Sequence, residues 1–444
     1  MISKAKVWRI LSIFLFSPML VLLLVGVFRS QDQTENLDQQ RSPARNTQTQ
    51  PVEESSQLTF GQPVSPTLSR SVSSLPPVSP DRLDTIIREV NPRISHHIPD
   101  KVDEKSFLNP DPVQIAPNLE PIPQQYTVGT TGTFTTPLLN FMGSGFTGVN
   151  PPDTVGAIGK DHYIQMVNSV SGSDFLIFDR SGNLVQPVTA LDQLGSGLCA
   201  DGGGDPLVIY DQLADRWFMS EFHNTTSANI VCHYISQTAD PLGSWYAYQF
   251  AMPNFPDYPK YGLWPNAYIG SANEGGPNSA AAIYAFDRIN MLAGQPAGFI
   301  RFAPPRLSGF GFQALTPVDL DGTVPPPLNT PPLYLRHVDD EVHDVSNDSS
   351  ADFIEIWSLT ADFDTPANSS FSQVANIPID EFDSTMCGVG SFRCVPQPSS
   401  SQLLDPVREV IMHRVSYLNH GTHQSIVGNM VTCLLYTSPS PRDS

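Results

Sequence analysis

The stretch GDPLVIYDQLADRWFMSEF, Gly204–Phe222, contains two apolar runs separated by a polar turn. LVIYD and RWFMSEF are rich in β-branched and aromatic residues, so the stretch predicts two short strands joined by QLAD. Similar stretches recur along the chain, which makes this one a building block of the fold. We expect its apolar residues to pack between neighbouring units rather than to line a ligand site: Leu207, Ile209, Trp217 and Met219.

An internal repeat sets the architecture. Its first three units begin at an aspartate beside a proline, at a constant interval of 52 residues: Asp153, Asp205 and Asp257. Each unit has an aromatic residue in a strand-like run 10 to 12 residues later: Tyr163, Trp217 and Tyr268. Weaker copies follow, and their starting aspartates are Asp319 or Asp321 and then Asp405.

A period of about 50 residues built from short antiparallel strands is typical of β-propeller blades, including kelch-like blades. One blade cannot bury both of its faces, so blades stack around an axis. The sequence therefore predicts an all-β fold, a β-propeller over residues 126–432. Two packed sheets of a β-sandwich are the structural alternative, which the constant interval disfavours.

The last residues, CLLYTSPSPRDS (Cys433–Ser444), abandon the strand pattern and look like a translated sequencing-adapter read-through. On this interpretation 433–444 is a non-native tail, the natural chain continues past Thr432, and the propeller is C-terminally truncated.

The N-terminus has the pattern of an export signal. Lys4, Lys6 and Arg9 precede an apolar run over residues 10–28. Positive charge before an apolar segment sends the following chain out of the cytoplasm. Residues 1–30 are expected to be a cleaved signal peptide or a retained membrane anchor, and the protein to be extracellular, periplasmic or on the cell surface.

Residues 31–125 are rich in Ser, Pro, Gln and Thr. A segment with so few apolar residues cannot offset its ordering entropy, so this part is expected to be a mostly disordered tether. A short helix near Asp81–Val90 is one exception, because four apolar residues share a helical face: Leu83, Ile86, Ile87 and Val90.

Charge limits the possible partners. The net charge is −20; residues 1–125 hold 12 of the 24 basic and 13 of the 44 acidic side chains, which leaves −19 on residues 126–444. Such a domain repels phosphate backbones, so we expect no nucleic-acid partner and no membrane contact beyond the N-terminal segment. Cations or cationic partners fit better.

The five cysteines fit an oxidising compartment. Two disulfides are predicted, Cys199–Cys232, which brackets one repeat unit, and Cys387–Cys394. Buried free thiols are the alternative. The sequence has no C-x2-C spacing for zinc, and Cys433 is left over in the non-native tail.

Several motifs occur in a fixed order along the chain: NPPDTVGAIGKDHYIQMVNS, GDPLVIYDQLADRWF, DYPKYGLWPNAYIGSANE, YAFDRINMLAG, CVPQP and NHGTHQSIV. In these motifs the sequence resembles a group of exported bacterial β-propeller proteins with no established activity. The resemblance covers residues 126–432 and implies a secreted propeller in which the four paired cysteines are native. The GDP-x-V-x-YD pattern is also similar to sialidase-like propellers, which bind a carboxylate with converging arginines, but this domain has few arginines and no FRIP-like motif.

The repeated aspartates are the main candidate ligand-binding residues: Asp153, Asp205, Asp257 and Asp319. Equivalent positions in a ring lie at equal radius, so these carboxylates are expected to converge near one mouth of the channel. Calcium binds oxygen ligands of this kind, and Asp205 and Asp257 are its predicted ligands. In the alternative, each aspartate caps its own turn.

Glu274, in SANEGG, is the candidate catalytic acid or base, because two following glycines predict an accessible turn. A solvated loop residue is the alternative. The acidic loop HVDDEVHDVSNDSSAD, His337–Asp352, lacks the EF-hand order and is interpreted as a solvated insertion.

Two functions remain open. The first is an exported binding or surface-interaction propeller for a glycan or protein ligand, with or without calcium. The second is a polysaccharide hydrolase or lyase that uses paired carboxylates at the same mouth. The sequence does not decide whether the protein is an enzyme.

Overall fold

The first four repeat units each fold into an antiparallel sheet whose strands follow their order in the chain, and these sheets are blades of a β-propeller. The computed structural model describes residues 22–23, 57–78, 88–89, 137–224, 228–274, 281–307, 314–343, 352–380, 382, 384, 394–398, 400–407 and 410–431. The predicted fold class is confirmed.

Five short strands precede the blades: β1 (Leu22–Leu23), β2 (Gln57–Phe60), β3 (Thr67–Leu68), β4 (Arg88–Glu89) and β5 (Val149–Asn150). Blade 1 contains β6 (Val155–Ile158), β7 (His162–Ser169), β8 (Gly172–Asp179) and β9 (Leu184–Ala190). Blade 2 contains β10 (Gly202–Asp211), β11 (Arg216–His223), β12 (Ile230–Ser236) and β13 (Trp245–Ala251).

Blade 3 contains β14 (Asp257–Trp264), β15 (Ala267–Asn273), β16 (Ala282–Asp287) and β17 (Phe299–Ala303). Blade 4 contains β18 (Thr316–Asp321), β19 (Leu333–Val338), β20 (Phe353–Thr360) and β21 (Ser370–Pro378). Two hairpins follow, formed by β22 (Val395–Gln397) with β23 (Ser400–Leu404), and β24 (Val415–Asn419) with β25 (Gln424–Val427).

The described helical segments are short. They are α1 (Arg288–Ala293), α2 (Asp340–His343) and four 3₁₀ turns at Val72–Ser74, Leu191–Leu194, Gly197–Ala200 and Pro366–Asn368. Within the described residues, no helix is long and apolar enough to cross a membrane. Apart from Leu22–Leu23, which pair with β25, the predicted signal or anchor lies outside the described residues.

The opening stretch is a building block, as predicted. From Leu207 to Asp211, β10 pairs with β11 without a register shift, so alternate residues face opposite sides of blade 2. Trp217 and Met219 are buried in the apolar cluster shared with blade 1, whereas Leu207 and Phe218 belong to the cluster shared with blade 3. Ile209 is partly buried against that second cluster. The hairpin therefore fills two interfaces between blades.

The inner strands of neighbouring blades lie side by side around the centre. β10 lies between β6 and β14, and β14 contacts β18. At Gly262 the approach is so close that a Cβ would lie 2.6 Å from the carbonyl oxygen of Val318. β24 pairs in parallel with β18, as the inner strand of a fifth unit would. Asp405, the predicted start of that unit, lies ten residues before β24.

Residues 57–78 form an N-terminal strap around the outer rim. β2 pairs with β17 at the edge of blade 3, and β3 pairs with β13 at the edge of blade 2. The Val78 amide then donates to the Val188 carbonyl at the edge of blade 1 (2.7 Å). The strap lies inside the region with tether-like composition, and the structure shows this part packed against three blades.

A disulfide joins Cys199, in a 3₁₀ turn, to Cys232 on β12, as predicted. The Tyr234 hydroxyl donates to the Cys199 carbonyl oxygen (3.0 Å) beside it. Cys387 lies outside the described residues, so the Cys387–Cys394 disulfide stays a prediction. The same holds for the tail, Cys433–Ser444.

Candidate functional site

Three unit-starting aspartates come together with one lysine at the centre of the propeller. Asp153, Asp205 and Asp257 lie at the beginnings of three neighbouring inner strands, and Lys260 follows on β14. Asp205 interacts electrostatically with all three of the others. We call Asp153, Asp205, Asp257 and Lys260 the mouth cluster. The predicted convergence therefore holds for the first three units.

The backbone explains how the aspartates reach this place. Asp153 and Asp205 both have left-handed φ angles, 39° and 55°. In the third unit Tyr258 takes that conformation, with φ 52°, and Asp257 precedes it. β-Bulges between Gly204 and Leu207 and between Asp257 and Lys260 interrupt the ladders at the same level. Bulges and left-handed residues re-aim side chains at a strand's start.

Asn168, at the end of β7, links two aspartates of the mouth cluster. Its Oδ1 accepts a hydrogen bond from the Asp205 amide (2.7 Å), and its Nδ2 donates to Oδ2 of Asp153 (2.8 Å). Asn168 is fully buried, so its orientation is fixed by these bonds and by a third one to the Pro151 carbonyl (3.0 Å). It therefore locks the seam between blades 1 and 2 at the mouth.

The environment changes the acidity of the mouth cluster. Burial, and then the nearby carboxylates of Asp153 and Asp257, raise the pKa of Asp205 to about 7. A side-chain hydrogen bond with Asp153 also favours the protonated form. Burial lowers the pKa of Lys260 to about 8, although the three aspartates oppose that shift. Near neutral pH, Asp205 therefore exchanges a proton readily.

Three of the four side chains of the mouth cluster are partly exposed to solvent. Asp153, Asp205 and Lys260 are half-buried, whereas Asp257 is 8% exposed. The Lys260 ammonium lies 3.7 Å from the centroid of the Tyr258 ring and donates to the Pro259 carbonyl oxygen (3.0 Å). Oδ1 of Asp205 is a buried atom without a hydrogen-bond partner in the described part of the chain.

Asp319, predicted as a fourth ligand-binding residue, has other partners. Its Oδ1 accepts from the Leu263 amide (2.7 Å), and its Oδ2 forms an ion pair with Arg414, which also binds Asp321. Burial raises the pKa of Asp319 and Arg414 opposes that shift. Asp405 caps its own turn, because its Oδ1 accepts from the Val407 amide (2.8 Å). The turn-capping alternative thus applies to Asp405.

The expectation that Glu274 lies on an accessible turn is wrong. The side chain is fully buried at the end of β15, where Arg301 on β17 donates to both of its oxygens. Asn254 donates to Oε2 (2.9 Å) and the Tyr284 hydroxyl donates to Oε1. Both carboxylate oxygens are occupied by groups that stabilise the fold, so no argument for catalysis remains at Glu274.

The interpretation of the acidic loop as a solvated insertion is wrong at its ends. Asp339, Asp340, His343 and Asp352 are each at most 5% exposed. Asp339 accepts from the amide and the hydroxyl of Ser384 (2.7 and 2.6 Å), which ties the loop to the segment after β21. Residues 344–351 lie outside the described residues.

Sequence reasoning missed two residues of this site. Lys260 is a charged residue inside the apolar pattern of an inner strand, and this break in the pattern could have identified it as a candidate site residue. Asn168 had no such signal, because its role depends on the contact between blades 1 and 2. Among the described residues, no group of three or more His, Cys, Asp or Glu side chains is arranged to hold a metal ion.

No protein-family model and no curated protein matches this chain. Solved structures similar to it include an α-L-arabinofuranosidase from Podospora anserina in complex with cellotriose. It is 10% identical over 47% of this chain and 63% of that chain, with a TM-score of 0.26. A GH62 α-L-arabinofuranosidase from Coprinopsis cinerea is 12% identical over 62% and 80%, with a TM-score of 0.29. At these TM-scores the similarities carry no argument about activity.

Proposed function

We propose that the chain is an exported propeller that binds a glycan at the mouth cluster. The observation that carries the proposal is the meeting of Asp153, Asp205, Asp257 and Lys260 at one accessible place. Carboxylates accept hydrogen bonds from sugar hydroxyls, and an ammonium donates to them. Export is supported by the disulfide Cys199–Cys232, since such bonds persist in oxidising compartments.

Charge favours a neutral or basic glycan over an acidic one. The mouth cluster holds three acidic side chains and one basic side chain, within a chain of net charge −20. Uronic acids and sulfated sugars would be repelled by this field. A basic peptide is the competing ligand, and it is included in the test below.

Calcium is the least supported part of the predicted function. A calcium ion at Asp205 and Asp257 would lie beside the Lys260 ammonium, which already interacts with both carboxylates. Two cations at one place repel each other, so the lysine supplies the positive charge that the aspartates need. We therefore propose that ligand binding does not require calcium.

A hydrolase is the second candidate, and one observation favours it. A glycosidase needs a carboxylic acid that is protonated near neutral pH, so that it can donate a proton to the leaving-group oxygen. Asp205, with its pKa raised to about 7 by burial and neighbouring carboxylates, meets that requirement. Asp257 is the remaining carboxylate that would act as its partner, because Asp153 is hydrogen-bonded to Asp205.

The test uses the full chain and a panel of neutral, basic and uronic-acid oligosaccharides plus a lysine-rich peptide, measured by calorimetry with and without EDTA. We expect a neutral or basic oligosaccharide to bind equally well under both conditions. Asp205→Asn and Asp257→Asn should weaken it about tenfold or more, since hydrogen bonds to charged groups contribute roughly 1.5–3 kcal/mol. Asp364→Asn, an exposed aspartate of blade 4, is the charge-matched control and should bind normally.

Each outcome separates the candidates. Release of reducing ends by the wild type and its loss in Asp205→Asn would identify a hydrolase, whereas binding without release identifies a binding module. The glycan site would be rejected if only the peptide bound, or if Asp205→Asn and Asp257→Asn bound the oligosaccharide as well as the wild type.

A further inference from the structure

Arg88, from the N-terminal segment, lies at the seam between blades 1 and 2. β4 pairs in parallel with β5, directly before the loop that leads to Asp153. The Arg88 amide donates to the Gly148 carbonyl oxygen (3.1 Å), which fixes the backbone there. The predicted helix near Asp81–Val90 is therefore wrong at Arg88 and Glu89, because the pairing with β5 makes them a strand.

The guanidinium of Arg88 bridges the two blades. Its Nη2 donates to the Gly203 carbonyl oxygen on β10 (2.5 Å), and its Nη1 donates to the Ser169 carbonyl oxygen on β7 (3.4 Å). Ser169 directly follows Asn168, and Gly203 precedes Asp205 by two residues. The two bonds therefore hold the backbone on both sides of the Asn168–Asp205 contact.

Gly204 is the residue that permits this approach. A Cβ on Gly204 would lie 2.7 Å from Oδ1 of Asn168 and 3.3 Å from Nη2 of Arg88. Its φ of 100° is also one that side chains rarely adopt. The crowding shows that Arg88, Asn168 and the strand that carries Asp205 pack directly against one another.

We propose that Arg88 is a positioning residue for the mouth cluster, which bridges the Ser169 and Gly203 carbonyls and thereby keeps Asp205 against Asp153. The proposal rests on the same site as the proposed function but not on the identity of its ligand. Both of these guanidinium hydrogen bonds go to backbone carbonyls. Arg88 thus shapes the cluster without occupying its carboxylates.

A positioning role for Arg88 changes the titration of Asp205, whereas a purely structural role does not. Burial and the neighbouring carboxylates of Asp153 and Asp257 raise the pKa of Asp205 to about 7, while Lys260 acts in the opposite direction. If the seam opens, Asp205 becomes better solvated and moves away from Asp153, so its titration midpoint falls. Lys260 then titrates closer to the usual range of a lysine.

The experiment follows the side-chain carboxyl carbons of selectively labelled aspartates by NMR, from pH 4 to pH 9, in the full chain. Asp205→Asn assigns the signal. We expect a wild-type midpoint near 7 and a midpoint lower by about one pH unit or more in Arg88→Ala. Arg70→Ala removes an exposed arginine of the strap and should leave the midpoint unchanged.

Arg88→Lys keeps the charge but replaces the planar guanidinium with one ammonium, which cannot donate to both carbonyls in the same geometry. Its midpoint should lie between those of wild type and Arg88→Ala, and this variant decides the matter if Arg88→Ala does not fold. The proposal is overturned if the midpoint of Arg88→Ala equals that of the wild type. If Arg88→Ala does not fold, the same result in Arg88→Lys overturns it. Because no ligand is needed, failure of the glycan site leaves this result interpretable.

Discussion

Glu221, at the end of β11, is a buried carboxylate with few partners. It is 1% exposed, and its Oε2 has no hydrogen-bond partner among the described residues. Burial raises the pKa of Glu221 well above its usual range, and the carboxylates of Asp192 and Asp174 add to the shift, whereas Ser173 and Tyr234 oppose it. Burial also raises the pKa of Asp192 to about 6. These acids therefore prefer the protonated form more strongly in the folded protein than in the unfolded chain.

This preference makes stability fall with rising pH. Both acids have higher pKa values folded than unfolded, so their contribution to stability is complete below about pH 4 and is lost as the pH rises through 6 and above. Glu221→Gln should resemble the protonated form. We expect urea unfolding to show it more stable than wild type at pH 8, on the order of 1 kcal/mol, with no difference at pH 4.

Glu355→Gln is the contrasting variant, because Glu355 is buried in an ion pair with Arg336 (2.7 Å). It should lose stability at both pH values. If the stability of Glu221→Gln falls between pH 4 and pH 8 as steeply as that of the wild type, the buried acids do not control the pH dependence of stability.

Sequence and structure agree on residues whose role repeats and differ where the role depends on a distant partner. The interval of 52 residues predicted that Asp153, Asp205 and Asp257 would meet, because equivalent blade positions share one radius. The two glycines after Glu274 predicted an exposed side chain, but Glu274 is buried in an ion pair with Arg301, 27 residues later. The position of Arg88 at the seam likewise depends on pairing with Val149, which no local pattern indicates.

At the scale of elements, the strap shows where composition misleads. Residues 57–78 are rich in Ser and Pro, yet Val72 is fully buried and Leu75 is 5% exposed. Both pack into the apolar cluster that includes Trp245, Leu191 and Leu194. Two apolar residues at suitable positions anchor a segment whose average composition resembles a linker.

Val72→Asp should release the strap. Burying a carboxylate among apolar side chains without a partner costs several kcal/mol, so we expect a loss of roughly 3 kcal/mol in urea unfolding. Leu68→Asp, on the same strap but 57% exposed, is the matched control and should change little. Equal losses in both variants, or in neither, would mean that the strap does not add to the stability of the blades.

At the scale of the whole molecule, blades 2 and 3 are joined by a buried ion pair. Arg288, the first residue of α1 directly after β16 of blade 3, donates from Nε and Nη2 to both oxygens of Asp211 on β10 (2.6 and 2.9 Å). The Tyr268 hydroxyl donates to Oδ2 of the same carboxylate (2.9 Å). The repeat predicted these blades but not their connection. Arg180, which follows the same Phe-Asp pair in unit one, donates to the Gly159 carbonyl oxygen instead.

Arg288→Met should destabilise the ring strongly. It leaves the carboxylate of Asp211 buried without its cation, and breaking a buried pair costs about 3–5 kcal/mol. Lys160–Asp215 (2.6 Å) is a natural comparison, because it also joins two blades, but its side chains are 62% and 32% exposed. Lys160→Met should therefore cost about 1 kcal/mol or less. Adding Asp211→Asn to Arg288→Met should recover part of the loss, since no buried charge remains. If Arg288→Met and Lys160→Met lost the same amount of stability, the blades would be held together by apolar packing alone.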